Sequence, residues 1–110
     1  MRRVLFDENM PRKLRRELPA FSIRTAQEEG WSAFKNGELL KRASASFDVL
    51  VTIDQRMRYQ QNVAGLPLGV VAIEVPDTRI AFLYPLLPEL REAIEHVRPG
   101  EVLVIRQKPS

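Results

Sequence analysis

Residues 3–9 read RVLFDEN. Three consecutive apolar side chains, Val4, Leu5 and Phe6, run straight into two acids and an asparagine. A strand with one wet face alternates apolar and polar residues. A continuous apolar run instead suits a strand covered on both faces, as in parallel sheets flanked by helices. The polar break after Phe6 then marks the carboxyl end of that strand. Three other stretches share the pattern, DVLVTI (48–53), PLGVVAIEV (67–75) and EVLVIR (101–106), and FSIRTA (21–26) is a weaker version.

The segments between these runs read as helix or loop. MPRKLRREL (10–18) predicts a helix with Pro11 near its start and Leu14 and Leu18 on one face. QEEGWSAFK (27–35) reads as a loop punctuated by Gly30. NGELLKRASA (36–45) predicts a helix, with Leu39, Leu40 and Ala43 at helical spacing and Asn36 as its cap. QRMRYQQNV (55–63) reads as a loop with a short helix. TRIAFLYPLLPELREAIEHV (78–97) is a long helical region that Pro85 and Pro88 should kink or split near residue 85. Strand and helix alternate throughout. A single α/β domain over residues 1–110 is expected, a three-layer sandwich around a mainly parallel five-stranded sheet.

Composition narrows the class. The chain has 110 residues, 45% apolar and 28% charged, which suits one folded domain rather than disorder. It has no cysteine, which excludes a disulfide framework, a thiolate metal site and a thiol nucleophile. No signal-peptide core and no membrane-length apolar run is present, so a cytoplasmic protein without a membrane partner is expected. The net charge of +3 is compatible with a nucleic-acid partner without requiring one.

Open parallel sheets bind ligands beyond the carboxyl ends of their strands. The first strand delivers Asp7, Glu8 and Asn9 to that edge, the third delivers Asp54, and the fourth delivers Glu74 and then Asp77. Glu38 stands near the start of a helix on the same edge. Converging carboxylates repel one another unless a cation neutralises them. Oxygen donors without cysteine select Mg²⁺ or Mn²⁺ over zinc. Such ions acidify a bound water and stabilise charge on a phosphoryl oxygen, so phosphodiester hydrolysis is the reaction that suits them. Any one of these acids taken alone is better explained by capping or solvation. Asp7 and Asp54, each directly after an apolar strand, are the pair that points to a site. Strand alternation turns Glu8 away from Asp7.

Cations frame the acids. Arg12, Lys13, Arg15 and Arg16 crowd the first helical segment, and Arg56 and Arg58 follow Asp54. Cations so placed would hold the phosphates flanking a scissile one, although a solvated helix face explains the first group equally well. Trp31 either stacks on a base or packs under its loop, and the second reading is the simpler. His96 has no nucleophile to pair with and reads as a surface residue.

VLFDENMPRKLRREL, EEGW, KNGELLKRA and DVLVTIDQRMRYQQN, in this order, resemble the short bacterial PIN-like proteins, a family of unknown function within the PIN nuclease superfamily. The resemblance covers roughly residues 2–75. It implies an α/β sandwich whose acids hold one or two Mg²⁺ or Mn²⁺ ions and cut RNA. It also implies a toxin of a toxin–antitoxin pair, held inactive by a small DNA-binding antitoxin. Asp7 matches the first-strand acid, Glu38 the helix-borne acid and Asp54 the acid after the third strand. On this resemblance those three are the expected catalytic residues and metal ligands. Glu8, Asn9, Asn36 and Asp77 are auxiliaries, Asn36 standing where the family often has an acid. Arg12, Lys13, Arg16, Arg56 and Arg58 are the expected RNA contacts.

Two other classes fit parts of the pattern. A phospho-receiver domain also places an acid pair after its first strand and an acceptor aspartate after its third. It needs a Ser or Thr at the end of strand four, where this chain has EVPD, and a helix after the lysine represented here by Lys108. A non-catalytic PIN-like binding partner would use IAFLYPLLPEL (80–90) as a homodimer or antitoxin interface, where core packing is the simpler account of most residues.

Overall fold

Five short apolar runs become five parallel strands. They are β1 (Arg3–Phe6), β2 (Ser22–Thr25), β3 (Val49–Thr52), β4 (Gly69–Glu74) and β5 (Val102–Arg106). The computed structural model describes residues 1–59, 61–77 and 79–106, and the side chains of residues 58–62 lie outside that description. The sheet order is β2-β1-β3-β4-β5, every neighbouring pair parallel.

Period-two alternation sorts the buried strand residues onto two faces even though each strand is apolar throughout. Val4, Phe6, Val49, Val51, Val71 and Ile73 face one layer, with Leu14, Leu83, Leu90 and Ile94 packed on them. Leu5, Leu50 and Val70 face the other, under Leu39, Leu40, Ala43, Met57 and Val63. The result is the expected three-layer sandwich, and its sheet is parallel throughout.

The helices are α1 (Ala26–Glu29), α2 (Asn36–Ser46), α3 (Ile80–Leu83) and α4 (Leu87–His96). The long region splits at Pro85 as expected, with a 3-10 turn over Tyr84–Leu86 joining α3 to α4. Leu83, Leu86, Leu87 and Leu90 of this region are buried in the core, and Tyr84 is exposed.

Three local expectations need correction. Residues 12–17 form 3-10 turns rather than an α-helix. Pro11 and Pro19 bracket a stretch with little room, and bonds such as Leu14 N–H to Pro11 O close it three residues back. Residues 27–35 are not all loop, because α1 opens on a capping box. The Thr25 hydroxyl accepts the Glu28 N–H at 3.1 Å, and the Glu28 carboxylate accepts the Thr25 N–H at 2.9 Å. Gly30, at φ 77°, then ends the turn in the left-handed conformation. Finally, Asn36 is the first helical residue of α2 and not its cap; Lys35 holds the cap position without a side-chain bond.

Connectivity places a crevice. The chain leaves β1 toward β2 on one side, then crosses back to β3 on the other. Their outgoing connections therefore diverge at the carboxyl ends of β1 and β3, which is where doubly wound sheets open a binding site. Two ties close the opposite edge. The Arg2 guanidinium donates to the Ile94 and Val97 carbonyls, at 3.0 and 2.8 Å, at the end of α4. Gly100, at φ 83°, packs so closely that a Cβ there would lie 2.8 Å from the Ala64 carbonyl oxygen. Among the described residues no helix is long and apolar enough to cross a membrane.

Candidate functional site

Asp7 extends the β1–β3 ladder by one rung, its N–H donating to the Val51 carbonyl at 3.0 Å. Alternation then puts its side chain on the α2 face, where only 6% of the residue stays exposed. Its two oxygens are both engaged. Oδ2 accepts the Thr52 hydroxyl at 2.7 Å, and Oδ1 accepts the Glu8 N–H at 2.8 Å. The Thr52 oxygen in turn accepts the Asp54 N–H at 2.9 Å. One buried hydroxyl thus links the Asp7 carboxylate to the backbone that carries Asp54.

Asp54 is gripped by Arg56. Its Oδ1 accepts the Arg56 backbone N–H at 2.9 Å and Nε–H at 3.0 Å, and its Oδ2 accepts Nη2–H at 2.9 Å. The Asn36 amide reaches the same Oδ2 at 3.4 Å, a long and weak bond. The Arg56 guanidinium holds the Asp54 carboxyl below its ordinary value, against the opposing effect of partial burial. Asp54, and more weakly Asp7, raise Arg56 in return. Arg56 itself is 83% exposed, so it covers the acid from the solvent side.

Asp7, Asn36, Asp54 and Arg56 line an open cleft of about 550 Å³. Glu8 and Asn9 border it beside Asp7, and Lys35 and Asn36 form its rim at the start of α2. Glu8 lines the cleft despite its place in the sequence, because the strand ends before it. A turn closed by Met10 N–H on the Asp7 carbonyl replaces the alternation. Trp31 and Phe34 add aromatic rings to its lining.

The other anticipated residues lie elsewhere. Glu38 is exposed, does not line the cleft, and pairs with Arg42 at 3.0 Å one turn along α2. Two helical residues turn the chain by about 200°, so Asn36 facing the cleft sends Glu38 the other way. Asp77 is paired with Arg79 at 2.9 Å beyond β4, and Arg79 holds its carboxyl below the ordinary value. Arg12 lines a separate cavity of about 320 Å³ with Met10, Thr25 and Gln27. Lys13 and Arg16 are exposed on the 3-10 segment. Arg15 is committed to Glu28 at 2.7 Å. The Arg58 side chain, with those of Tyr59, Gln60, Gln61 and Asn62, and Lys108 lie outside the described residues. Thr52 and Lys35 were assigned no role from the sequence. A signal existed for each: a hydroxyl on the last strand residue before an acid, and a cation abutting a helix start at the ligand edge.

Family models, curated proteins and solved structures yield no match to this chain. The site must be judged by its own donors. Among the described residues no three His, Cys, Asp or Glu side chains converge. Asp7, Asp54 and Asn36 line the same cleft. That set is oxygen-based and fits Mg²⁺, which keeps several waters and takes one or two carboxylates plus substrate phosphate. Asp7 keeps a lone pair on each oxygen, whereas four donors fill the sites of Asp54, so these residues fit such an ion once Arg56 or the long Asn36 bond gives way.

Proposed function

We propose that the cleft hydrolyses RNA phosphodiesters with Mg²⁺ or Mn²⁺ held by Asp7 and Asp54, Asn36 turning its amide to supply a further oxygen. The carrying observation is that two acids from adjacent parallel strands, at the point where the connections diverge, are tied to one hydroxyl. When bound, the ion acidifies a water and stabilises charge on the phosphoryl oxygen. Thr52 fixes the Asp7 carboxylate and the Asp54 backbone relative to each other, so neither must be ordered on binding. Arg56 bridges Asp54 and solvent, and transfers its guanidinium to a substrate phosphate when one arrives. A toxin role with a small DNA-binding antitoxin is part of this proposal and rests on the PIN-like resemblance alone.

The test is cleavage of RNA by the purified chain with and without Mg²⁺ or Mn²⁺. Asp7→Asn and Asp54→Asn should each lower cleavage by more than the roughly 10–100-fold typical of losing an outer-shell partner, measured per folded molecule, since Asp7→Asn also turns an amide donor toward Thr52 or Glu8. Metal-dependent cleavage surviving in both variants would remove the assignment.

One observation favours a second reading. The order β2-β1-β3-β4-β5 is that of flavodoxin-like and receiver domains, which place their ligands at the same β1/β3 point. In that reading Asp54 accepts a phosphoryl group. The Arg56 fork across both its oxygens stands against this. A hydroxylamine-labile phosphoryl group on Asp54 after incubation with acetyl phosphate and Mg²⁺ would replace the nuclease reading.

A further inference from the structure

Part of the lining of the cleft is aromatic and held by backbone bonds and ring contacts. The Trp31 N–H donates to the Ala26 carbonyl at 2.9 Å, and the Phe34 N–H to the Trp31 carbonyl at 3.1 Å. The segment is thus pinned between the Gly30 end of α1 and the Lys35 cap of α2. The rings are braced as well. Trp31 stands edge-to-face with Phe47 at 6.1 Å, and Arg42 lies 4.3 Å over Phe34. Arg42 is positioned in turn by Glu38, which gives that acid a role behind the wall rather than on the ion. Trp31 and Phe34 remain partly exposed in the cleft, while Phe47, against Trp31, is buried and does not line it. Lys35, at the end of this wall, is exposed in the cleft, and its side chain makes no ion pair or hydrogen bond with another described residue.

Rigid aromatic rings beside an unpaired cation and a guanidinium match a flat, apolar-faced group joined to a phosphate. We propose that the Trp31–Phe34 wall is a nucleobase subsite. One base of a single-stranded RNA lies against it, and Lys35 contacts the adjoining phosphate. The next phosphodiester is thereby set at Asp7 and Asp54. Bases in a duplex have their faces covered by stacking and cannot reach the wall, whereas splayed single-stranded bases stack on aromatic side chains without strong sequence preference. The placement of the scissile bond rests on the nuclease reading, but base binding does not, and the two are tested apart.

Trp31 is the chain's one tryptophan, so its emission reports the subsite directly. The full chain is titrated, with EDTA present to prevent cleavage, with a short single-stranded RNA, the same strand with abasic residues, and the matching duplex. Quenching by the base-bearing strand alone is expected. Labelled-strand anisotropy should show Trp31→Leu weakening the base-bearing strand by roughly 5- to 150-fold, the converted worth of one stacked base. The same substitution should leave abasic affinity unchanged, while Lys35→Gln weakens both strands alike. Equal quenching by abasic and base-bearing strands, or unchanged affinity in a folded Trp31→Leu chain, would overturn the subsite. If Trp31→Leu does not fold, the wild-type comparison decides by itself. Base-dependent quenching in a protein that never cleaves RNA with metal would uphold the subsite and remove the nuclease reading.

Discussion

Thr52 carries more than its size suggests. Its oxygen must accept from the Asp54 amide, so its single hydrogen is free for Asp7. Thr52→Val keeps the buried shape and deletes both bonds. The expected loss is about 1–3 kcal/mol, since an amide and a carboxylate are left short of a partner, read from urea unfolding; metal-dependent cleavage should fall with it. At this scale the sequence was informative about charge and less so about which side chains line the cleft. Asp7 and Asp54 were recognisable because strands end where apolar runs end. Glu38 was expected at the cleft from its place near a helix start; the buried stripe of Leu39, Leu40 and Ala43 runs as expected, but Asn36 is the polar α2 side chain that lines the cleft. Thr52 was hidden in plain view, since a threonine at the end of a strand is ordinary until its neighbour across the ladder is known.

Among the elements, the junction of β2, α1 and the 3-10 segment depends on Glu28. Its carboxylate accepts from Arg15 and from the Thr25 N–H, and these bonds, Arg15 first, lower its pKa from 4.5 to about 2. A carboxyl depressed by folding stabilises fully above its unfolded value and loses that contribution as pH falls through the folded one. Glu28→Gln should therefore be less stable than the parent at neutral pH, and the difference in urea midpoint should close between pH 4.5 and about 2. Gly100 is the second sensitive junction. Gly100→Ala meets both a left-handed backbone and the Ala64 carbonyl. It should cost more than the roughly 1–2 kcal/mol of the left-handed conformation alone, seen as a lowered thermal midpoint. The strands were legible because a buried run needs no partner to be recognised. The 3-10 segment and the single turn of α1 were not. Short helices follow from the space between their neighbours rather than from their own periodicity.

For the whole molecule, Arg2 joins the first residues of the chain to the far end of α4. Its guanidinium satisfies two carbonyls that the helix leaves open, beside the negative end of the helix dipole. Arg2→Ala should lower unfolding stability by about 1–3 kcal/mol without altering binding or cleavage at the opposite edge, a separation that thermal denaturation and RNA cleavage measured together would check. The sandwich itself could be read from alternation of strand and helix. The strand order could not, because apolar runs do not say which of their kind they will lie beside. That order has a lasting effect. The cleft is opened by two connections departing in opposite directions, not by the side chains that line it. Its shape is inherited with the chain's route, so a descendant that loses both acids keeps the hollow and can acquire a new use before it acquires new chemistry.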